Sequence, residues 1–173
     1  MTVQHHDPAA PSDDVSCAVG FRELLSTSDV VSVHVPLTPA TRNLIGPSEL
    51  RSMKPTATLV STARGGIVDE PALVEALQSG RLHSAGLDVF VDEPRHRPDD
   101  PLFHLDNLVV LPHVGSATYA TRARMVDLAA DNITAVLTAG EALTAVSGSP
   151  AAIRSAPPAS RLLLAGTAKR RAS

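Results

Sequence analysis

Tryptophan is absent from these 173 residues, and the aromatic complement is one tyrosine and three phenylalanines. The core must therefore be aliphatic, built of Val, Leu, Ile and Ala. Cysteine occurs once, as Cys17, so no intrachain disulfide can form and a thiolate metal centre is not expected. That usage points to a reducing, cytoplasmic compartment. No excess of positive charge exists: 15 Lys and Arg stand against 18 Asp and Glu, for a net charge of −3. Neither nucleic acid nor an anionic membrane is an expected partner. Lys169-Arg170-Arg171 is the one basic run, and three such residues in a tail are ordinarily just solvated. Residues 1–14 hold no apolar stretch of the secretory type, and Leu162-Leu163-Leu164-Ala165 is far too short to span a bilayer.

Apolar residues are nonetheless plentiful, at 43%, and they cluster. Residues 1–14 are polar and read as a disordered lead-in. Residues 15–146 carry the ordered pattern. Residues 147–173 are rich in Ser, Pro, Ala and Gly, lose periodicity, and read as a disordered tail. Within the middle segment, Val30-Val31-Ser32-Val33-His34-Val35 is a β-branched run stopped by Pro36. Further strands are expected at residues 57–61, 84–89 and 108–111. Helices are expected from Pro47, from Asp69 as an N-cap with Pro71 in the first turn, and over residues 119–139. The last shows Met125, Leu128, Ala129, Ile133, Val136 and Leu137 at helical spacing, ended by Gly140. Strands that are continuous apolar runs, alternating with helices, imply a parallel sheet covered on both faces.

Ligands of open α/β sheets bind beyond the carboxyl ends of the strands. The polar motifs of this chain lie there: His34, Thr62-Ala63-Arg64, Asp88 with Glu93, and His113-Val114-Gly115-Ser116. Arg64, before Gly65-Gly66, offers a planar fork suited to a carboxylate, or is a surface arginine in a strand-to-helix turn. His113 titrates near neutrality and could move a proton, or it caps or packs. Glu93, extended before Pro94, could pair with an imidazole and favour its charged form, or be one more solvated acid beside Asp92, Asp99 and Asp100. Asp88, at an apolar strand end, requires a partner either way. His34 could line the pocket; the remaining histidines read as loop or surface residues.

In combination these motifs are specific. Ser28-Asp29-Val30-Val31-Ser32-Val33-His34-Val35-Pro36-Leu37-Thr38, Thr62-Ala63-Arg64-Gly65-Gly66-Ile67-Val68-Asp69-Glu70, Ala85-Gly86-Leu87-Asp88-Val89-Phe90, Asp92-Glu93-Pro94 and Pro112-His113-Val114-Gly115-Ser116-Ala117-Thr118 are spread over about residues 21–146. This stretch resembles the NAD-binding half of the D-isomer-specific 2-hydroxyacid dehydrogenases, such as glyoxylate/hydroxypyruvate reductases and phosphoglycerate dehydrogenase. The resemblance implies a partial Rossmann-like, doubly wound parallel sheet of about four strands with flanking helices. It also implies NAD, or NADP, as cofactor and a small 2-hydroxy or 2-keto acid as substrate. Arg64 would hold the substrate carboxylate, His113 would be the acid/base on the C2 oxygen, and Glu93 would keep His113 protonated. Asp88 would contact the nicotinamide carboxamide. Val35, Pro36, Thr62, Ala63, Arg64, His113, Val114, Gly115 and Ser116 would line the nicotinamide end of the cofactor.

The chain departs from that pattern in several ways. No Gly-x-Gly-x-x-Gly turn, which holds a pyrophosphate at a helix N-terminus, occurs in it. No residue is expected to read the adenosine ribose, and the first half of the dinucleotide fold and the substrate domain are expected to be missing. The strand at residues 30–35 should then present an open apolar edge, inviting self-association or a partner chain. Two readings follow: a 2-hydroxy acid oxidoreductase, or a truncated, inactive or partner-dependent half-domain of one.

Overall fold

The punctuated apolar runs fold, in a computed structural model that describes residues 2–8, 16–94 and 99–145, into short parallel strands and helices. Among the described residues, in chain order, these are β1 (Gln4–His5), β2 (Cys17–Ala18), α1 (Phe21–Thr27), β3 (Val30–Val33), α2 (Pro47–Ser52), β4 (Thr58–Ser61), α3 (Glu70–Gln78), β5 (Ser84–Leu87), β6 (Leu108–Val110) and α4 (Tyr119–Ala139), with a 3-10 turn at Pro101–His104. Two compact units divide the chain, Met1–Gly115 and Ser116–Ser173.

In the first unit β3, β4, β5 and β6 form one parallel sheet in that order. The register sets Val33 beside Ser61, Ser61 beside Leu87, and Leu87 beside Val110. The four carboxyl ends therefore lie along one rim. Each strand is shorter than its apolar run: β3 stops at Val33 rather than Val35, β5 at Leu87 and β6 at Val110. The residues beyond turn away to carry the rim loops.

Burial alternates along the strands. Val31, Leu59 and Ala85 form one buried row and Val33, Ser61 and Leu87 the next. The intervening Val60, Ser84 and Gly86 are only half-buried, and Val30 and Val109 on the outer strands are 62% and 64% exposed. Among the described residues one face of the sheet is thus fully buried across β3, β4 and β5 and the other only partly. The composition of a parallel strand does not say which of its faces finds a partner. The core is aliphatic as expected, with Leu25, Ile45, Leu50, Leu59, Ile67, Leu73, Leu82 and Leu102 almost wholly buried.

Capping fixes the helices. The Asp69 side chain accepts from the Ala72 N–H at 3.0 Å and opens α3. Glu49 reaches back to the Gly46 N–H at 3.2 Å and opens α2. The Arg81 guanidinium donates to the Met53 carbonyl at 2.7 Å and to the Arg51 carbonyl, satisfying the far end of α2.

One expectation for the N-terminal residues is corrected. Gln4–His5, placed in a disordered lead-in, pairs in parallel with Cys17–Ala18. Gln4 also donates to the hydroxyls of Thr27 and Ser28 at 2.7 and 2.9 Å, and the His6 ring packs on Phe21. Two-residue strands held by polar side chains leave little trace in hydropathy. The tail expected at residues 147–173 lies outside the described residues.

The second unit, taken by itself, is built on α4. The Thr118 hydroxyl accepts from the Thr121 N–H at 3.1 Å, and Gly140, at φ 77°, closes the helix in the left-handed region. No residue of α4 is buried; Met125, Leu128, Ile133 and Leu137 are about half exposed.

Candidate functional site

The sheet register makes the site. Beyond β4 runs Thr62-Ala63-Arg64-Gly65-Gly66; beyond β5, Asp88 to Glu93; beyond β6, Leu111-Pro112-His113. The rim is continuous through backbone bonds, because Asp88 N–H donates to Ser61 O at 3.0 Å and Leu111 N–H to Leu87 O at 2.9 Å.

His113 and Glu93 meet at this rim. His113 Nδ1 donates to Glu93 Oε2 at 2.7 Å, and both side chains remain partly open to solvent, at 46% and 32%. The bond fixes the ring orientation and leaves Nε2 as the nitrogen facing other chemistry. Glu93 Oε1 accepts from the Phe90 N–H at 2.7 Å. The hydrogen bond from His113 holds the Glu93 carboxyl below the ordinary carboxylate value. Partial burial opposes this, while the Phe90 N–H and the charges of His113 and Arg64 reinforce it. The Glu93–Pro94 peptide is cis.

His113 sits at φ 54°, in the left-handed region where a residue with a Cβ is uncommon. Asp88 holds that turn. Its Oδ1 accepts from the Val114 N–H and its Oδ2 from the Gly115 N–H, each at 2.7 Å, while the side chain is buried. A Cβ on Gly115 would come to 2.9 Å from Asp88 Oδ2, so glycine is the residue that fits. Asp88 thus spends its charge on the backbone that carries His113, which answers its burial cost.

Arg64 is exposed, and its Nη1 donates to the Ala63 carbonyl at 2.7 Å. Its charge reaches Glu93. The following Gly65 packs so tightly on the next loop that a Cβ there would lie 1.8 Å from the Phe90 oxygen. Gly66, at φ 84°, has Arg42, Leu37 and Val91 as its nearest side chains, so the loop after β3 reaches the same place. Val35 and Ala63 are half-buried and Pro36 and Thr62 exposed along the rim. Ser116 is the first residue of the second unit.

Two residues carry no role in the sequence reading. Glu70 is 7% exposed and its Oε1 accepts from the Val91 N–H at 2.8 Å. In the sequence it is merely the residue after a helix cap. Asp7 stands just beyond the carboxyl end of β1, a parallel strand. The pattern of an acid after a strand was legible only if residues 4–5 had been read as a strand.

A nicotinamide cofactor is a two-ended ligand, and the ends fit differently. The left-handed turn at His113, clamped by Asp88, and the open rim at Pro36, Thr62 and Val114 suit a flat, neutral ring with an amide. A pyrophosphate needs close backbone approach at a glycine-rich helix start, and none of the 173 residues forms that motif. The residues fit the reactive end and not the phosphates. Among the described residues no cluster of His, Cys, Asp and Glu suits a metal ion, and no helix is long and apolar enough to cross a membrane.

Comparison with known proteins agrees with the fold. Residues 1–115 match the family described as D-isomer specific 2-hydroxyacid dehydrogenase, NAD binding domain. A glyoxylate reductase of Korarchaeum cryptofilum is 51% identical over 117 residues, which are 68% of this chain and 35% of that protein. A glyoxylate/hydroxypyruvate reductase B of Cronobacter sakazakii is 50% identical over 110 residues, 64% of this chain and 34% of that one. The NADPH-dependent glyoxylate/hydroxypyruvate reductase of Sinorhizobium meliloti, solved with NADP and malonate, superposes with a TM-score of 0.78 at 35% identity. The superposition covers 84% of this chain and 46% of that one. The chain thus spans about a third of the length of the curated relatives it matches.

Proposed function

The chain belongs to the D-isomer-specific 2-hydroxyacid dehydrogenase family, within its NAD-binding domain, and from that premise we propose that it serves a nicotinamide-dependent oxidoreductase acting on the CH–OH group of a 2-hydroxy acid. The observation that carries this reading is the Glu93–His113 bond at 2.7 Å on the rim that also bears Arg64. The substrate class is a small 2-keto acid such as glyoxylate or hydroxypyruvate, as in the relatives, or 3-phosphoglycerate in the oxidative direction.

In this reading Arg64 binds the substrate carboxylate through its guanidinium fork, which fixes the carbonyl against the rim. His113 donates a proton from Nε2 to the C2 oxygen, and Glu93, bound at Nδ1, balances the ring's charge and holds its orientation. Asp88 keeps the His113 turn in its left-handed conformation. Bound NAD or NADP supplies the hydride. Val35, Pro36, Thr62, Ala63, Arg64, Asp88, His113, Val114 and Gly115 would hold the nicotinamide end. The lone cysteine accords with a reducing, cytoplasmic setting.

The test is NADH binding to the purified chain by calorimetry, with turnover of glyoxylate and hydroxypyruvate. Weak but saturable binding, in keeping with the absent phosphate cradle, is expected, with turnover lowered about 100-fold or more in His113→Ala, the usual scale for a general acid. Arg64→Ala should raise KM for the keto acid. No binding up to millimolar NADH would overturn activity of the chain on its own. The second reading would then stand: a half-domain that acts only when its exposed sheet edge, with Val30 62% exposed, is covered by a second copy or a partner chain.

A further inference from the structure

We propose that Glu70 is a positioning residue that sets the Glu93–His113 pair against Arg64, through the single peptide that joins Phe90 to Val91. The inference builds on the site proposed above but concerns its architecture, not its substrate.

Three constraints converge on this peptide. The Phe90 N–H on its amino side is held by Glu93 Oε1 at 2.7 Å. Its own N–H, that of Val91, is held by Glu70 Oε1 at 2.8 Å. Its carbonyl is pressed by Gly65, whose absent Cβ would lie 1.8 Å from the oxygen and 2.0 Å from the carbon. Gly65 follows Arg64 directly, and Glu93 holds His113. The peptide is therefore one mechanical link between the cation and the imidazole.

Glu70 is the only one of these groups anchored in a regular element, at the first position of α3, with Asp69 capping the helix beside it. A carboxylate 7% exposed that spends a hydrogen bond on a loop whose own side chain, Val91, is 55% exposed is a costly way to hold surface backbone. The arrangement is explained if the loop's position matters.

Among the described residues, the charged and titratable groups acting on Glu93 are His113 and Arg64. If Glu70 moves the loop, it alters that contact set, and the Glu93 carboxyl reports it directly. The experiment is a carbon-13 carboxyl NMR titration of Glu93 in the full chain, assigned by its loss in Glu93→Gln. In Glu70→Asp the charge remains but the side chain is one methylene short of Val91. The Glu93 midpoint should rise from its lowered position toward the ordinary 4.5. In Glu70→Gln the charge is gone but an oxygen still accepts from Val91, and the midpoint should stay low. A rise in the Gln variant without one in the Asp variant would make charge, not position, the cause and overturn the proposal. So would no movement in Glu70→Asp. A reading that needs no variant is hydrogen exchange in the unaltered chain. The Val91 amide should exchange at least tenfold more slowly than an unprotected amide in the same sequence context, and exchange at open-loop rates would also overturn it. Neither readout involves turnover, so the positioning role and the dehydrogenase reading fail or stand separately.

Discussion

At the scale of single residues, the site rests on groups whose surroundings force their identity. Glu93 is the clearest, because its carboxyl is held low by the His113 hydrogen bond. A carboxyl whose folded value lies below its unfolded one contributes stability above the unfolded value, and loses it as pH falls through the folded value. Wild type should therefore exceed Glu93→Gln in urea stability at and just above pH 4.5. The difference should shrink as the pH is taken lower. Both side chains are partly exposed, so solvent screening keeps the effect modest. A difference that grows as the pH falls below about 4.5 would contradict the lowered Glu93 value. Gly65 is forced by space instead. A methyl group there meets the Phe90 carbonyl, which is backbone and cannot rotate away. Gly65→Ala should cost about 1–3 kcal/mol, the usual scale of overpacking, in denaturant titration. The same substitution at Gly80, where nothing lies within 4 Å but φ is 69°, tests backbone conformation alone.

At the scale of elements, local chemistry decides most boundaries. Asp69 caps α3 through the Ala72 N–H, and Asp69→Ala should destabilise the first unit by about 1 kcal/mol, read as a lower urea midpoint with unchanged slope. Such signals are why much of the fold was legible. Pro36 and Gly65-Gly66 end apolar runs, Asp69 and Thr118 open helices, and Gly140 closes one, each through a backbone effect local to its neighbours. The site was legible for a related reason: Arg64, Glu93 and His113 follow strands, and a parallel register brings strand ends together. What was not legible required tertiary knowledge. The pairing of Gln4–His5 with Cys17–Ala18 rests on few hydrogen bonds and has no hydropathy pattern. The bracing of His113 by Asp88 and of Val91 by Glu70 joins residues more than 20 positions apart. A sequence shows that a buried acid needs partners without showing which.

At the scale of the whole molecule, the unsatisfied feature is apolar surface. Val30 on β3 and Val109 on β6 are 62% and 64% exposed, and both belong to the outer strands of the sheet. Outer strands expose unpaired backbone groups as well, and native proteins ordinarily blunt them with charge or bulges. Lys54 bonds Asp29 at 2.8 Å beside the start of β3, but no charge falls within Val30–Val33 itself. Apolar surface leaves water with about 25 cal/mol per Å2, so a second copy is a sufficient occupant if it covers the 1,200–2,000 Å2 (roughly) of a stable interface. Sedimentation velocity on the full chain should show a concentration-dependent dimer. Val30→Lys places a charge where the neighbouring strand would pack and should weaken association at least tenfold. Met125→Glu, on the separately exposed stripe of α4, is the alternative probe. If Val30→Lys sediments like wild type while Met125→Glu releases monomer, the helix rather than the sheet edge is the contact. A chain that stays monomeric at every concentration would mean that its edge is tolerated bare, and the partner-dependent reading would lose its structural motive.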